Sequence, residues 1–110
     1  MTSLSGQHCV PSHAGMPALG QAEAASLLEQ LPGWQVVEGP RLVRTWTFPD
    51  FASALAFVNL AGAIADEEHH HPDVALSWGR VRIELWTHAA GGLTTNDFIL
   101  AARIDAAATR

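Results

Sequence analysis

Residues 80–88 alternate strictly between two kinds of side chain, and this pattern constrains the fold more than any other stretch. The side chains of one set are Val81, Ile83, Leu85 and Thr87. Those of the other set are Arg82, Glu84, Trp86 and His88. A period of two residues is typical of a β-strand with one face on the core and the other face open. The sequence therefore predicts a strand over residues 80–87 and places His88 at its end, off the core side.

Spacing, caps and breakers predict six further elements. Helices are expected over residues 21–31, from the N-cap Asp50 to about Glu67, and from residues 94–97 to about Ala107. Strands are expected over residues 34–37, 42–48 and 73–78. The order α-β-β-α-β-β-α indicates an α+β fold, in which helices pack on one face of a four-stranded antiparallel sheet.

The length of 110 residues corresponds to one domain. Residues 1–18 are rich in glycine, proline and serine without a helical or strand period, so we expect a flexible lead-in there and a single domain over residues 19–110. Only 15% of the residues are charged, which favours self-association.

Charge and hydropathy exclude several partners. The net charge of −5 leaves no broad basic field, so direct binding of nucleic acid is not expected. No stretch approaches the ~18 to 20 apolar residues of a membrane span, and the first residues lack the pattern of a secretory signal. We therefore expect a cytoplasmic protein without membrane contact and with a small-molecule or protein partner.

The densest polar segment, residues 66–73, reads Asp-Glu-Glu-His-His-His-Pro-Asp and lies where the long helix ends. Histidine has an unperturbed pKa of about 6.5 and exchanges protons near neutrality, so a cluster beside carboxylates suits general acid and base catalysis. A solvated helix terminus is the plain alternative, because imidazolium there also suits the helix dipole. Spacing by itself leaves both interpretations open.

A metal site is a weaker hypothesis for the same segment. His69 and His71 would share one face of an extended chain, and His88 could add a third nitrogen. No cysteine lies nearby, however, and no HExxH or CxxC spacing occurs. We therefore predict no metal.

His88 and Asp97 form a second candidate constellation. Asp97 follows Thr94 by three residues, which is the spacing of a capping box at a helix N-terminus. The same carboxylate could also accept a hydrogen bond from an imidazole and fix its tautomer. By itself His88 also fits an ordinary surface histidine. The tryptophans fit core or interface positions, although one or two could stack on a flat ring.

Several motifs are specific when their mutual spacing is considered together. They are His70-His71-Pro72, Trp78, Thr87-His88, Gly92-Leu93-Thr94 and Asp97, with Leu31-Pro32-Gly33-Trp34 and Phe48-Pro49-Asp50-Phe51 upstream. In this combination the chain resembles the pterin-4a-carbinolamine dehydratase family over about residues 19–107. The fold of that family agrees with the order of elements predicted above.

The resemblance implies an activity and a site. The family removes water from 4a-hydroxytetrahydropterin, without a metal or organic cofactor, and so recycles the pterin of aromatic amino acid hydroxylases. Matching the motifs assigns His70 and His88 to proton transfer, His71 to the pterin edge, and Asp97 to orienting His88. Asp66 matches a supporting acidic residue, and Trp34 and Trp78 are candidates for substrate binding. His69 has no counterpart and is expected to be solvent-exposed.

The chain departs from the family pattern at three positions. Trp78 replaces a usual tyrosine, and Asn96 replaces a basic residue. Cys9-Val10-Pro11-Ser12 resembles a subgroup motif but lacks its second cysteine, which disfavours a two-thiol site. The rival interpretation is a non-enzymatic protein of the same fold, because related proteins serve as a dimerisation cofactor of a transcription factor or assist assembly of a carbon-fixing enzyme.

Overall fold

The computed structural model, which describes residues 3–108, has three α-helices and a four-stranded antiparallel sheet. The helices are α1 (Gln21–Leu28), α2 (Phe51–Glu68) and α3 (Thr95–Ala108). The strands are β1 (Gln35–Val37), β2 (Arg41–Thr47), β3 (Asp73–Ser77) and β4 (Arg80–Leu85). Short 3₁₀ helices add Leu4–Gly6 and His88–Ala90. The predicted α+β class and the order of the elements are confirmed.

The strands lie in the order β1-β2-β4-β3, so β4 is central and is paired on both edges. Val81, Ile83 and Leu85 of β4 are completely buried, and they belong to the main apolar core. Arg82 and Glu84 alternate with them on the other face and remain partly exposed. This burial confirms the alternation read from residues 80–85 and gives the sheet one covered face and one open face.

Helix α2 is bounded by two clear end signals. At its start, the Oδ1 of Asp50 accepts a hydrogen bond from the Ser53 backbone N–H at 2.7 Å, as the predicted N-cap requires. At its end, His69 adopts a left-handed conformation with φ 54°, and the N–H of His70 returns to the carbonyl of Ala65. This reversal turns the chain so that His70 becomes buried while His69 is exposed. No helix within residues 3–108 is long and apolar enough to cross a membrane.

Two predicted boundaries differ from the structure by two residues or more. Helix α1 ends at Leu28 rather than Leu31, because the N–H of Leu31 bonds to the carbonyl of Leu28 in a tighter turn before Pro32. Strand β4 ends at Leu85 rather than Thr87, because the Thr87 backbone leaves the ladder and pairs with Gly92 instead.

The segment predicted as a flexible lead-in contacts the domain at its beginning. Leu4 is 5% exposed and joins the core, where its 3₁₀ turn packs against α3. Residues 11–18 are mostly exposed. The division at residue 18 stays a prediction, and residues 1, 2, 109 and 110 of the predicted segments lie outside the described part of the chain.

Candidate active site

The carboxylate of Asp97 is fully buried and accepts three hydrogen bonds. Its Oδ1 lies 2.6 Å from Nε2 of His70. Its Oδ2 lies 2.9 Å from both the Thr87 hydroxyl and the backbone nitrogen of Thr94. The bond from Thr94 is one half of the predicted capping box. Asp97 therefore caps α3 and binds an imidazole at the same time.

The hydrogen-bond pattern fixes the proton positions around Asp97. An ionised carboxylate only accepts, so His70 carries a proton on Nε2 and Thr87 donates its single hydroxyl proton. The Thr94 hydroxyl, 2.8 Å from that of Thr87, is then the donor of the pair. Among residues 3–108, every buried side-chain nitrogen or oxygen has a partner. Nδ1 of His70 makes no such bond and is therefore not completely enclosed, although the residue as a whole is only 7% exposed.

Three elements meet at this carboxylate. The turn after α2 supplies His70, the segment after β4 supplies Thr87, and the first turn of α3 supplies Asp97. Because Thr87 precedes His88 directly, the hydroxyl bond to Asp97 ties the segment carrying His88 to the buried pair. The chain thereby joins two of the predicted histidine segments, although they are separated along the sequence by a β-hairpin.

His71 lies on the solvent side of the same turn. Its Nε2 is 2.9 Å from Oδ1 of Asp66, one turn back on α2. Both side chains are mostly exposed, so this ion pair contributes little to stability. The contact orients the imidazole of His71, and the supporting role of Asp66 at the site stays a prediction.

His88 is exposed and packs against an aromatic neighbour. Its ring centroid is 4.5 Å from that of Trp86. On the open sheet face the guanidinium of Arg41 lies 3.9 Å from the centre of the Trp86 ring, a favourable cation–π distance. Arg41 is itself held by Glu84 at 3.1 Å. Hydrogen bonds from Arg82 and Arg41 hold the pKa of Glu84 below its usual range, so that its charge persists.

Trp34 is not next to the histidine cluster. It is 4% exposed, packs edge-on against Trp46 and donates its Nε1–H to Asp105 at 2.9 Å. Asp105 is eight residues beyond Asp97 on α3, a separation of about 12 Å along the helix axis. Trp34 therefore has a structural role within its own chain.

Trp78 also lies away from the cluster. It is 68% exposed in the turn that joins β3 to β4. Strand β3 begins near His70 and His71 and has five residues, so Trp78 lies roughly 17 Å farther along it. The β3–β4 ladder likewise separates Trp78 from His88, which follows the other end of β4. Within one chain, Trp78 does not contact the histidines.

The predicted role of Asp97 in orienting His88 is wrong. Asp97 binds His70, and the side chain of His88 makes no hydrogen bond to residues 3–108. His69 is exposed, as expected, because it occupies the left-handed position after α2. Among the described residues, no three histidine, cysteine or acidic side chains are arranged to hold a metal ion.

Sequence reasoning missed two features around this cluster. One is Trp86, whose contact with His88 could have been read from their spacing of two on one strand face. The other is the tight association of the N-terminal segment with Glu68 and Asn96. Asn96 is 2% exposed and forms hydrogen bonds inside the protein. No periodic pattern in the first ten residues signals these contacts.

The chain is similar to a known family and to several known proteins. The family model described as pterin 4 alpha carbinolamine dehydratase matches residues 17–107. A relative from Chlorobium limicola, named "Putative pterin-4-alpha-carbinolamine dehydratase", is 53% identical over 94% of this chain and 94% of its own length. A relative of the same name from Rubrobacter xylanophilus is 45% identical over 96% of this chain and 98% of its own length.

Two solved structures are also similar. A transcriptional coactivator/pterin dehydratase from Brucella melitensis aligns with a TM-score of 0.77 and 33% identity, covering 81% of this chain and 96% of that one. A pterin dehydratase-like protein described as a RuBisCO assembly factor in the alpha-carboxysome aligns with a TM-score of 0.57 and 28% identity, covering 67% and 87%. With the family match over most of its length, the chain belongs to the pterin 4 alpha carbinolamine dehydratase family.

Proposed function

We propose that this chain catalyses the dehydration of 4a-hydroxytetrahydropterin to quinonoid dihydropterin by histidine acid–base chemistry. The observation that carries the proposal is the buried His70–Asp97 pair, tied through Thr87 to the segment that bears His88. Family membership and the names of the relatives support the same reaction. The Nδ1 atom of His70 forms no hydrogen bond with residues 3–108, which leaves it free to contact a substrate.

The reaction needs one proton donor and one proton acceptor. The C4a–O bond breaks while a protonated imidazole gives its proton to the departing hydroxyl, which leaves as water. A neutral imidazole takes the proton from N5, and the electron pair of that N–H bond forms the C4a=N5 double bond. Two positioned histidines supply both functions, and no oxidant or reductant is consumed.

We assign His70 and His88 to the two proton transfers. Asp97 positions His70 by holding the proton of Nε2, so that Nδ1 faces the substrate. His71, oriented by Asp66, contacts the pterin edge. The substrate is a pterin, the assembly is a homodimer or homotetramer, and the physiological role is recycling of the pterin cofactor in the cytoplasm.

Stopped-flow measurement of 4a-hydroxytetrahydropterin loss tests the proposal. The substrate dehydrates spontaneously, so the decisive quantity is the increase in rate constant per mole of added protein. We expect an increase that is proportional to protein concentration and saturates with substrate. A rate constant equal to the spontaneous one, measured with folded protein, would overturn the enzymatic function.

An assembly or interaction role is the second candidate. The similar RuBisCO assembly factor and the exposed apolar side chains of α2, Phe51, Leu55 and Leu60, favour it. These side chains serve equally for association between copies of the chain. The two functions are distinguished by the rate assay: a pure assembly protein binds its partner and leaves the spontaneous rate unchanged.

A further inference from the structure

Residues 4–10, called here the N-terminal strap, cross the end of α2 and contact α3 at Arg103 and at Asn96. Leu4 inserts into the core at one end of the strap. In its middle, the Gln7 carbonyl accepts a hydrogen bond from Nε of Arg103 at 2.6 Å. The strap is thus attached to the domain by packing and by charge-assisted bonding before it reaches the candidate active site.

The far end of the strap has two polar anchors. The Asn96 amide binds the Val10 backbone in both directions, with N···Oδ1 2.9 Å and Nδ2···O 2.8 Å. The carboxylate of Glu68 accepts a hydrogen bond from the Cys9 backbone N–H at 2.7 Å and contacts His8 at 2.8 Å. Asn96 is 2% exposed and Glu68 is 7% exposed, so water does not readily replace these bonds.

Both anchors are sequence neighbours of the buried pair. Asn96 directly precedes Asp97, and Glu68 lies two residues before His70, at the end of α2. The strap therefore connects the two segments that must be held together for the 2.6 Å contact between His70 and Asp97. A change in the strap would move one partner of that contact relative to the other.

The Cys9 side chain packs beside the Asn96 anchor. Its thiol is half-buried and lies 3.5 Å from the carbonyl oxygen of Asn96. Burial first, and then the negative charges of Glu68 and Asp97, raise the pKa of Cys9 to about 12. The thiol therefore stays neutral and adds no competing charge beside Asp97.

We propose that the N-terminal strap, through Asn96 and Glu68, positions the His70–Asp97 pair for proton transfer. The inference rests on the proposed function for its catalytic consequence. The proposal also has a structural part, which is that the His70–Asp97 hydrogen bond depends on the strap. This part can be tested without measuring any activity. Asn96 and Glu68 are positioning residues in this account.

The test compares two substitutions at one position. Val10→Pro removes the backbone N–H that Asn96 accepts, whereas Val10→Ala keeps that donor and shortens only an exposed side chain. Asp50→Ala removes the N-cap at the opposite end of α2 and controls for general loss of stability. The readouts are kcat, KM and the downfield proton resonance of His70 Nε2–H.

We expect Val10→Pro to lower kcat about 10-fold with little change in KM, because misplaced catalytic groups impair the transition state. Its His70 Nε2–H resonance should shift upfield or broaden, while Val10→Ala and Asp50→Ala keep the wild-type values. Equal values for Val10→Pro and Val10→Ala, or the same losses in Asp50→Ala, would overturn the proposal.

Two further outcomes are also decisive. Should Val10→Pro fail to fold, Asn96→Ala removes the same anchor from the α3 side and is judged by the same readouts. Should the wild-type protein fail to accelerate dehydration, the proposed function is wrong. The resonance of His70 Nε2–H in the variants then decides separately whether the strap positions the pair.

Discussion

The imidazole of His70 and the carboxylate of Asp97 form a buried pair with 2.6 Å between Nε2 and Oδ1. The side chains are 8% and 0% exposed, so neither can exchange its partner for bulk water. Two further donors, from Thr87 and Thr94, complete the hydrogen bonding of the carboxylate. The pair therefore has one arrangement of protons, in which the free nitrogen of His70 is Nδ1.

Asp97→Asn removes the negative charge of this carboxylate and nearly keeps the shape of the side chain. The amide accepts hydrogen bonds on one side only, so its NH₂ group faces either the Nε2–H of His70 or the donors of Thr87 and Thr94. We expect the free energy of unfolding to fall by about 1–3 kcal/mol because a buried donor loses its acceptor. We expect kcat to fall about 100-fold, because the proton on Nε2 of His70 is no longer held by a charge. Urea unfolding and the dehydration assay measure the two effects, and a wild-type kcat in the Asp97→Asn variant would remove Asp97 from the mechanism.

His88→Ala should impair catalysis without impairing the fold. The ring is exposed and makes no hydrogen bond to residues 3–108, so the free energy of unfolding should change by less than about 0.5 kcal/mol. The rate acceleration should fall about 100-fold through loss of one proton-transfer group. His13→Ala, at another exposed histidine, is the matched control and should keep full activity. A fully active His88→Ala protein would refute the assignment.

His69→Gly should stabilise the protein. His69 has φ 54°, a conformation that costs an L-residue about 1–2 kcal/mol and that glycine adopts freely. We expect a net gain of about 0.5 kcal/mol or more in the free energy of unfolding, with activity retained. His13→Gly, where φ is not positive, should give no gain. Thermal unfolding of both variants measures the difference, and a lower Tm for His69→Gly would contradict the account of this turn.

We expect the stability that Glu68 contributes through its contacts with the strap to depend on pH. Burial opposes ionisation, but the Cys9 N–H, His8 and Arg103 together hold the pKa of Glu68 below its ordinary value of 4.5. A carboxyl whose pKa is lowered by folding stabilises the protein above that ordinary value, and the contribution is lost as the pH falls through the folded-state value.

Urea unfolding should therefore show that wild type exceeds Glu68→Gln in stability by more at about pH 7 than at about pH 3. Glu67→Gln makes the same charge change at an exposed neighbour and serves as the control. If the stability difference between wild type and Glu68→Gln is constant over this range, ionised Glu68 does not stabilise the fold.

Local pattern was sufficient for most of the fold. The two-residue period over β4 identifies its buried face, and Asp50 and Pro49 identify the start of α2 before any contact is known. These signals work because side-chain direction and capping depend on neighbours within a few residues. The motifs also identified His70, His71, His88 and Asp97 as a set.

The partner of Asp97 was not predictable in the same way. His88 is nine residues from Asp97 and His70 is 27 residues away, so proximity along the chain favoured the wrong histidine. The correct pairing depends on a left-handed turn at His69, where a glycine would have been the usual signal. The strap is harder still, because its anchors bridge 59 and 86 residues.

The central claim is that the imidazoles of His70, His71 and His88 act on one bound pterin. The most direct measurement is a titration of the protein with 7,8-dihydropterin, a stable relative of the product, followed by NMR of the histidine rings. We expect the resonances of these three rings to shift with a common half-saturation concentration, while those of His13 stay in place. Shifts confined to one of the three rings, or three different half-saturation concentrations, would contradict it.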